Sequence, residues 1–198
     1  MKRILTLFLA LTLLGSLSAC GSNDSIAETE TISSEGPVAV ITVKDYGEIR
    51  VQLAPEAAPI TVDNFVSLAE AGFYDGLTFH RIISGFMIQG GDPLGTGTGG
   101  SDKTIQGEFR ENGIENPISH KRGTISMARS RDMDSASSQF FICHEDSPHL
   151  DGAYAGFGQV ISGMDVVDAI CRDTEVEDSN GTVRKENQPV IQSVVIED

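Results

Sequence analysis

Short stretches in which β-branched and aromatic residues crowd together recur from Val38 to Ile196, separated by turns rich in Gly, Asn and Asp. Val38 to Val43 is one such run; Tyr46-Gly47 reads as a turn, and Glu48 to Leu53 as the partner strand. Further strands are predicted over Thr78 to Ile83, Phe86 to Gln89, Gly123 to Ala128, Gln139 to His144, Gly156 to Ile161 and Val190 to Ile196. Two segments carry a helical repeat instead. In the first, Val62, Phe65, Val66 and Ala69 share a face, with Thr61 as the expected N-cap and Gly72 as the stop. The second runs from about Met164 to Cys171, with Met164, Val167 and Ile170 or Cys171 on one face. Many short strands joined by Gly-rich turns argue for a barrel or a sandwich. No internal repeat or second linker divides residues 36–198, which read as one domain.

Strand alternation also sorts neighbours. Phe140 and Phe141 must face opposite sides, so one can pack the core while the other faces a site.

The amino terminus has another character. Lys2 and Arg3 precede an apolar stretch from Ile4 to Leu14, and Leu17-Ser18-Ala19-Cys20 follows. A charged start, a short apolar centre and small residues at the end describe a secretory signal, and the run is short for a membrane span. Cys after Leu-Ser-Ala resembles a bacterial lipobox, which implies removal of residues 1–19 and lipidation of Cys20. Residues 20–35 are rich in Ser, Thr and Glu and read as a disordered tether. The expected location is extracytoplasmic, lipid-anchored to the bacterial cell membrane.

The formal charge of the chain is −15; losing Lys2 and Arg3 with the signal takes it to −17. Such acidity argues against nucleic acid as a partner and against adhesion to anionic lipid through a basic patch. Cys143 and Cys171 are expected to be free thiols, since nothing in the sequence brings them together. No Cys/His spacing suggests a metal site, and no cofactor is expected. Gly95 to Gly100 satisfies G-x-G-x-x-G, but no helical repeat follows it, so it reads as a loop.

Three ordered blocks carry the functional signal. The first is Phe79-His-Arg-Ile-Ile-Ser-Gly-Phe-Met-Ile-Gln-Gly-Gly-Asp92. The second joins Ser126-Met127-Ala128-Arg129 to Ser138-Gln139-Phe140-Phe141-Ile142, and the third joins Leu150-Asp151-Gly152 to Phe157-Gly158-Gln159-Val160. Together they resemble the cyclophilins, the cyclosporin-binding family of peptidyl-prolyl isomerases, over Pro37 to Glu197. The resemblance implies a mainly β fold, a closed eight-stranded antiparallel barrel capped by two helices. It implies peptidyl-prolyl cis-trans isomerase activity on proline-containing unfolded or extended polypeptides, and with the expected extracytoplasmic location a role in folding of exported proteins. It further implies Arg81, Phe86 and Gln89 as catalytic residues and a proline socket lined by Phe86, Met87, Phe141 and Leu150. Gln89 and Gln139 match amides that orient substrate backbone, and Ala128 and Arg129 match its extended groove. The Gly95 to Gly100 loop matches one that borders that groove.

The chemistry suits these residue types. Rotation about an X-Pro bond breaks amide resonance against a barrier of roughly 18–20 kcal/mol. The twisting nitrogen becomes a better hydrogen-bond acceptor, so a fixed guanidinium gains strength in the transition state. An adaptor that only binds proline peptides is a rival reading, against which Arg81 counts; a solute-binding lipoprotein is another, suggested by lipobox and acidity alone. Where vertebrate-type members carry Trp, this chain has His149, and Tyr154 replaces a usual His; the resemblance implies that both contact substrate. Both changes resemble bacterial members and imply weak cyclosporin binding at most. Arg129 stands where Asn is common, which implies a preference for acidic residues before proline. A monomer is expected.

Overall fold

The computed structural model describes residues 36–197. The expected signal segment 1–19, Cys20 and the tether to residue 35 lie outside the described residues. The strands are β1 Val38–Val43, β2 Gly47–Leu53, β3 Thr78–Ile83, β4 Met87–Asp92, β5 Thr124–Met127, β6 Phe140–Cys143, β7 Gly156–Ser162 and β8 Ile191–Glu197. The helices are α1 Pro59–Glu70 and α2 Met164–Asp173. All named strand pairs are antiparallel, in the order β3-β4-β6-β5-β7-β2-β1-β8.

The sheet is a half-barrel, which corrects the expectation of closure. β3 and β8 are its two ends, and between them runs no ladder. They meet through one isolated bridge, Thr78 to Val190, and the backbone bonds of Gly76 and Leu77 to Ile191. The outer edge of β3 is instead covered by the segment 181–183: Ile82 donates to Gly181 O and Val183 donates to His80 O. A short loop strand there shields the unpaired edge from other chains.

Alternation along the strands divides the apolar residues into two clusters. Ile88, Ile125, Phe140 and Ile142 join the main core, where Phe65 of α1 meets Tyr74, Phe140 and Phe157 at centroid distances of 5.0, 5.6 and 5.2 Å. Burying each such ring contributes about 1.5–3 kcal/mol. On the other face Met87, Phe141 and Cys143 form a second cluster with Leu150, flanked by Phe86, Ala128 and Tyr154. Gly91, at φ +80°, bends the end of β4 close to the chain before β6. A Cβ there would stand 2.5 Å from Ser138 O.

The start of α1 differs from expectation. Thr61 is not the N-cap; Ala58 holds that position without a side-chain bond, and Thr61 lies buried inside the first turn. The capping group is the buried Glu108, which accepts from Ile60 N at 3.0 Å, Thr61 N at 2.8 Å and Thr61 Oγ1 at 2.7 Å. A carboxylate is favoured there because it satisfies orphan N–H groups at the positive end of the helix dipole. Gly72 follows the end of α1 with φ +68°. Helix α2 extends two residues beyond Cys171, burying Val166, Val167, Ile170 and Cys171, with Met164 half-buried. Cys143 and Cys171 are both buried free thiols, which burial pushes up to about 12.

Candidate active site

A cavity of about 350 Å³ opens on the second cluster. Its apolar wall is Phe86, Met87, Phe141 and Leu150; Ala128, Arg129 and Tyr154 continue the rim. Met87 and Phe141 are nearly buried, at 1 % and 5 % exposure, yet both present a face to the opening. They do so because β4 and β6 pair directly, with Gln89 opposite Phe141 and Met87 opposite Cys143. Tyr154 meets Phe141 edge-on at 5.9 Å.

Arg81 enters this cavity from β3, with Gln89 as its cross-strand partner. Its Nη1 donates to Gln89 Oε1 at 3.1 Å and its Nε to Asn180 O at 2.8 Å. The remaining guanidinium N–H groups have no partner among the described residues. The side chain is therefore held at two points while part of its fork stays free. Gln89 passes the restraint onward: its Nε2 donates to Gln139 Oε1 at 2.9 Å, and Gln139 Nε2 donates to Gly99 O at 2.8 Å.

Two sequence-predicted residues stand apart from the lining. Gln139 lies behind Gln89, with both ends of its amide engaged. His149 is exposed and packs on the outside of Phe86, ring centroids 5.5 Å apart. Arg129 is a rigid rim element. Its guanidinium lies 4.9 Å from the Phe109 centroid and 4.7 Å from that of Tyr154, and Nε and Nη2 both donate to Ala153 O. Cation–π contacts of this kind contribute about 0.5–2 kcal/mol each.

Behind Phe141 lies a buried polar chain. His120 Nδ1 donates to Asp151 Oδ1 at 2.9 Å, and Ser126 Oγ meets Nε2 at 3.0 Å. The order Ser-His-Asp is that of a nucleophilic triad, but Ser126 is fully buried and cannot reach a substrate. Burial pulls the imidazole of His120 below its ordinary range, against the opposing pull of Asp151.

The sequence pointed to neither Asn180, whose carbonyl holds Arg81, nor His80 and Thr182, which line the cavity. Strict alternation would send His80 and Arg81 to opposite faces. A register shift between Phe79 and Arg81 breaks it, so both reach the cavity. Gly95, Thr96 and Gly97 also line it, which places the Gly-rich loop at its border.

Residues 38–197 match the family model of the cyclophilin type peptidyl-prolyl cis-trans isomerases. The chain is 49 % identical over 144 residues to peptidyl-prolyl cis-trans isomerase B of Bacillus subtilis, covering 73 % of this chain and 92 % of that one. It is 54 % identical over 115 residues to a peptidyl-prolyl cis-trans isomerase of Synechococcus elongatus, covering 58 % and 74 %. Among solved structures, a cyclophilin type isomerase of Cryptosporidium parvum, determined in the presence of the dipeptide Ala-Pro, superposes with a TM-score of 0.72 at 30 % identity. That match covers 81 % of this chain and 99 % of that one. Sequence blocks, half-barrel and socket thus agree with the comparisons, and the chain belongs to the cyclophilin-type peptidyl-prolyl cis-trans isomerases.

Proposed function

We propose that this isomerase works without covalent chemistry, by holding proline in the apolar socket while Arg81 stabilises the twisted amide. The observation that carries the reading is a guanidinium tethered at two points with free N–H groups at the mouth of an apolar cavity. In the planar amide the nitrogen lone pair is delocalised and accepts weakly. At the twisted geometry it is localised, and a donor already in place stabilises that state preferentially. Tethering reduces the reorganisation needed at that moment. Gln89 serves in this account by keeping Arg81 oriented, Phe86 by closing the socket, and Arg129 by favouring acidic residues before proline. The Ala-Pro dipeptide studied with the Cryptosporidium protein supports the same substrate class for this chain.

We further propose that the enzyme is tethered through Cys20 on the outer side of the cell membrane, where it speeds proline-limited folding of exported chains. The support is the lipobox-like Leu17-Ser18-Ala19-Cys20 and the acidic, Ser/Thr-rich stretch after it. The test expresses the full chain and a Cys20→Ser variant in a bacterium, then follows membrane partition and the refolding rate of a proline-limited exported protein. Membrane-bound wild type, released Cys20→Ser and faster refolding by both are expected. Equal partition of the two proteins would refute the anchor; unchanged refolding would refute the folding role.

A further inference from the structure

His144 follows β6 and grips the turn between β3 and β4 from two sides. Its backbone N–H donates to Phe86 O at 2.8 Å, and its ring Nδ1 accepts from Gly85 N–H at 2.8 Å. Gly85 takes φ +81° in that turn, and Phe86 N closes it on Ile83 O at 2.9 Å. The other ring nitrogen reaches α2, where Nε2 stands 3.1 Å from Asp168 Oδ1. Arg122 completes the cluster. Its Nη1 donates to His144 O at 2.6 Å, and its Nη2 to the two oxygens of Asp168 at 2.8 and 2.9 Å. One imidazole thus spans from a helix to the turn that carries Phe86, part of the apolar wall of the cavity.

The partners fix the tautomer of the ring. A backbone N–H can only donate, so Nδ1 accepts; Nε2 carries the proton and donates to the carboxylate. Satisfying Gly85 is not what the contact achieves, because Gly85 is exposed and water would serve its N–H. A bond that relieves no buried group adds little stability. What it supplies is direction. The imidazole is only 14 % exposed and is backed by Asp168 and Arg122, so the turn is fixed against a rigid post. Arg81 is held elsewhere, by Gln89 and Asn180. Movement of the turn would therefore displace Phe86 and leave the guanidinium in place.

We propose that His144 is a positioning residue for the proline socket: anchored on Asp168, its ring holds the Ser84-Gly85 turn so that Phe86 stays closed over the prolyl ring. This rests on the reading of Phe86 as a socket wall, and it adds a residue that lies outside the lining. Apolar contacts to the prolyl ring are the same for planar and twisted amides, so they act on KM and not on kcat.

The test measures kcat and KM by NMR exchange on an X-Pro peptide for three variants. His144→Asn places an amide oxygen near the position of Nδ1 and keeps an acceptor for Gly85. His144→Gln reaches towards Asp168 in place of Nε2 and leaves Gly85 without one, and His144→Phe removes both. The Gln and Phe variants should raise KM about threefold, the worth of roughly one weak hydrogen bond, with kcat unchanged. The Asn variant should stay close to wild type. A merely structural role would instead reduce the folded fraction, and with it the apparent kcat, while KM stayed put. Equal KM changes for Asn and Gln, a fall in kcat alone, or no change in any variant would overturn the assignment. In the unaltered protein, the Gly85 amide and His144 Nδ1 resonances should shift together as the peptide saturates the site. Resonances indifferent to the peptide overturn the assignment without any variant. Turnover of the same peptide by wild type tests the isomerase reading separately.

Discussion

Replacing Gln89 by Leu removes the acceptor that holds one Nη1 of Arg81 at 3.1 Å and the donor that reaches Gln139 at 2.9 Å. Asn180 O still holds Nε, so the guanidinium is loosened and not lost. A hydrogen bond to a charged group contributes about 1.5–3 kcal/mol, and half-exposure of both residues places this one at the lower end. About 1.5 kcal/mol of lost orientation corresponds to roughly tenfold in kcat/KM. The socket is untouched, so KM should hardly change. Stability should fall by less than about 1 kcal/mol, because Gln139 keeps Gly99 O and its freed end is half-exposed. The decisive form is a double-mutant cycle by NMR exchange on an X-Pro peptide. In an Arg81→Ala background Gln89→Leu has nothing left to disorient, and its effect should shrink to about twofold or less. A tenfold effect in both backgrounds would show that Gln89 acts on substrate independently of Arg81 and does not serve to orient it.

Three further outcomes are expected. Glu108→Ala strands the first-turn donors of α1 and should destabilise the protein by about 2–3 kcal/mol in urea unfolding, whereas a change under about 0.5 kcal/mol would contradict the capping role. Burial lowers the pKa of both His80 and His120 from 6.5, so the unfolded chain binds more protons; their contribution is complete above about pH 6.5 and is lost as pH falls below it. Unfolding free energy should therefore decline between about pH 7 and 5 by at most about 1.4 kcal/mol per unit for each ring, and a flat profile would contradict it. Asp92, also held low, acts only around and below its ordinary 3.8 and does not confuse that window. Arg129→Asn should abolish any preference for Glu over Lys before proline, about threefold in kcat/KM for a rim charge; an unaltered ratio would remove Arg129 from specificity.

Local pattern accounts for most of the architecture that was legible beforehand. The runs at Val38–Val43 and Thr78–Ile83 became strands with the expected bounds, because β-branched stretches between turns leave few alternatives. Alternation required Phe140 and Phe141 to face opposite sides without saying which faces the site; Phe140 packs in the core and Phe141 joins the second cluster. What escaped depends on partners distant in sequence. Glu108 caps α1 from 47 positions beyond Thr61, and no local signal announces it. The His80 bulge arises from how β3 meets β4, which a single strand does not encode. Sheet closure likewise depends on how Thr78 and Val190 approach, and one bridge forms where a ladder was expected. Gln139 and His149, matched to substrate-contacting positions by the resemblance, sit next to cavity-lining residues, Gln139 bonded to Gln89 and His149 beside Phe86.

In the proposed mechanism Arg81 binds the twisted amide better than the planar one. Its most direct test is the exchange rate of an X-Pro peptide with wild type and Arg81→Lys, analysed for kcat and KM separately. Lys keeps a charge but lacks the planar fork held by Gln89 and Asn180. Arg81→Lys should lower kcat about 100-fold with KM nearly unchanged. A rise in KM with kcat intact would show that Arg81 merely binds substrate, and would contradict that mechanism.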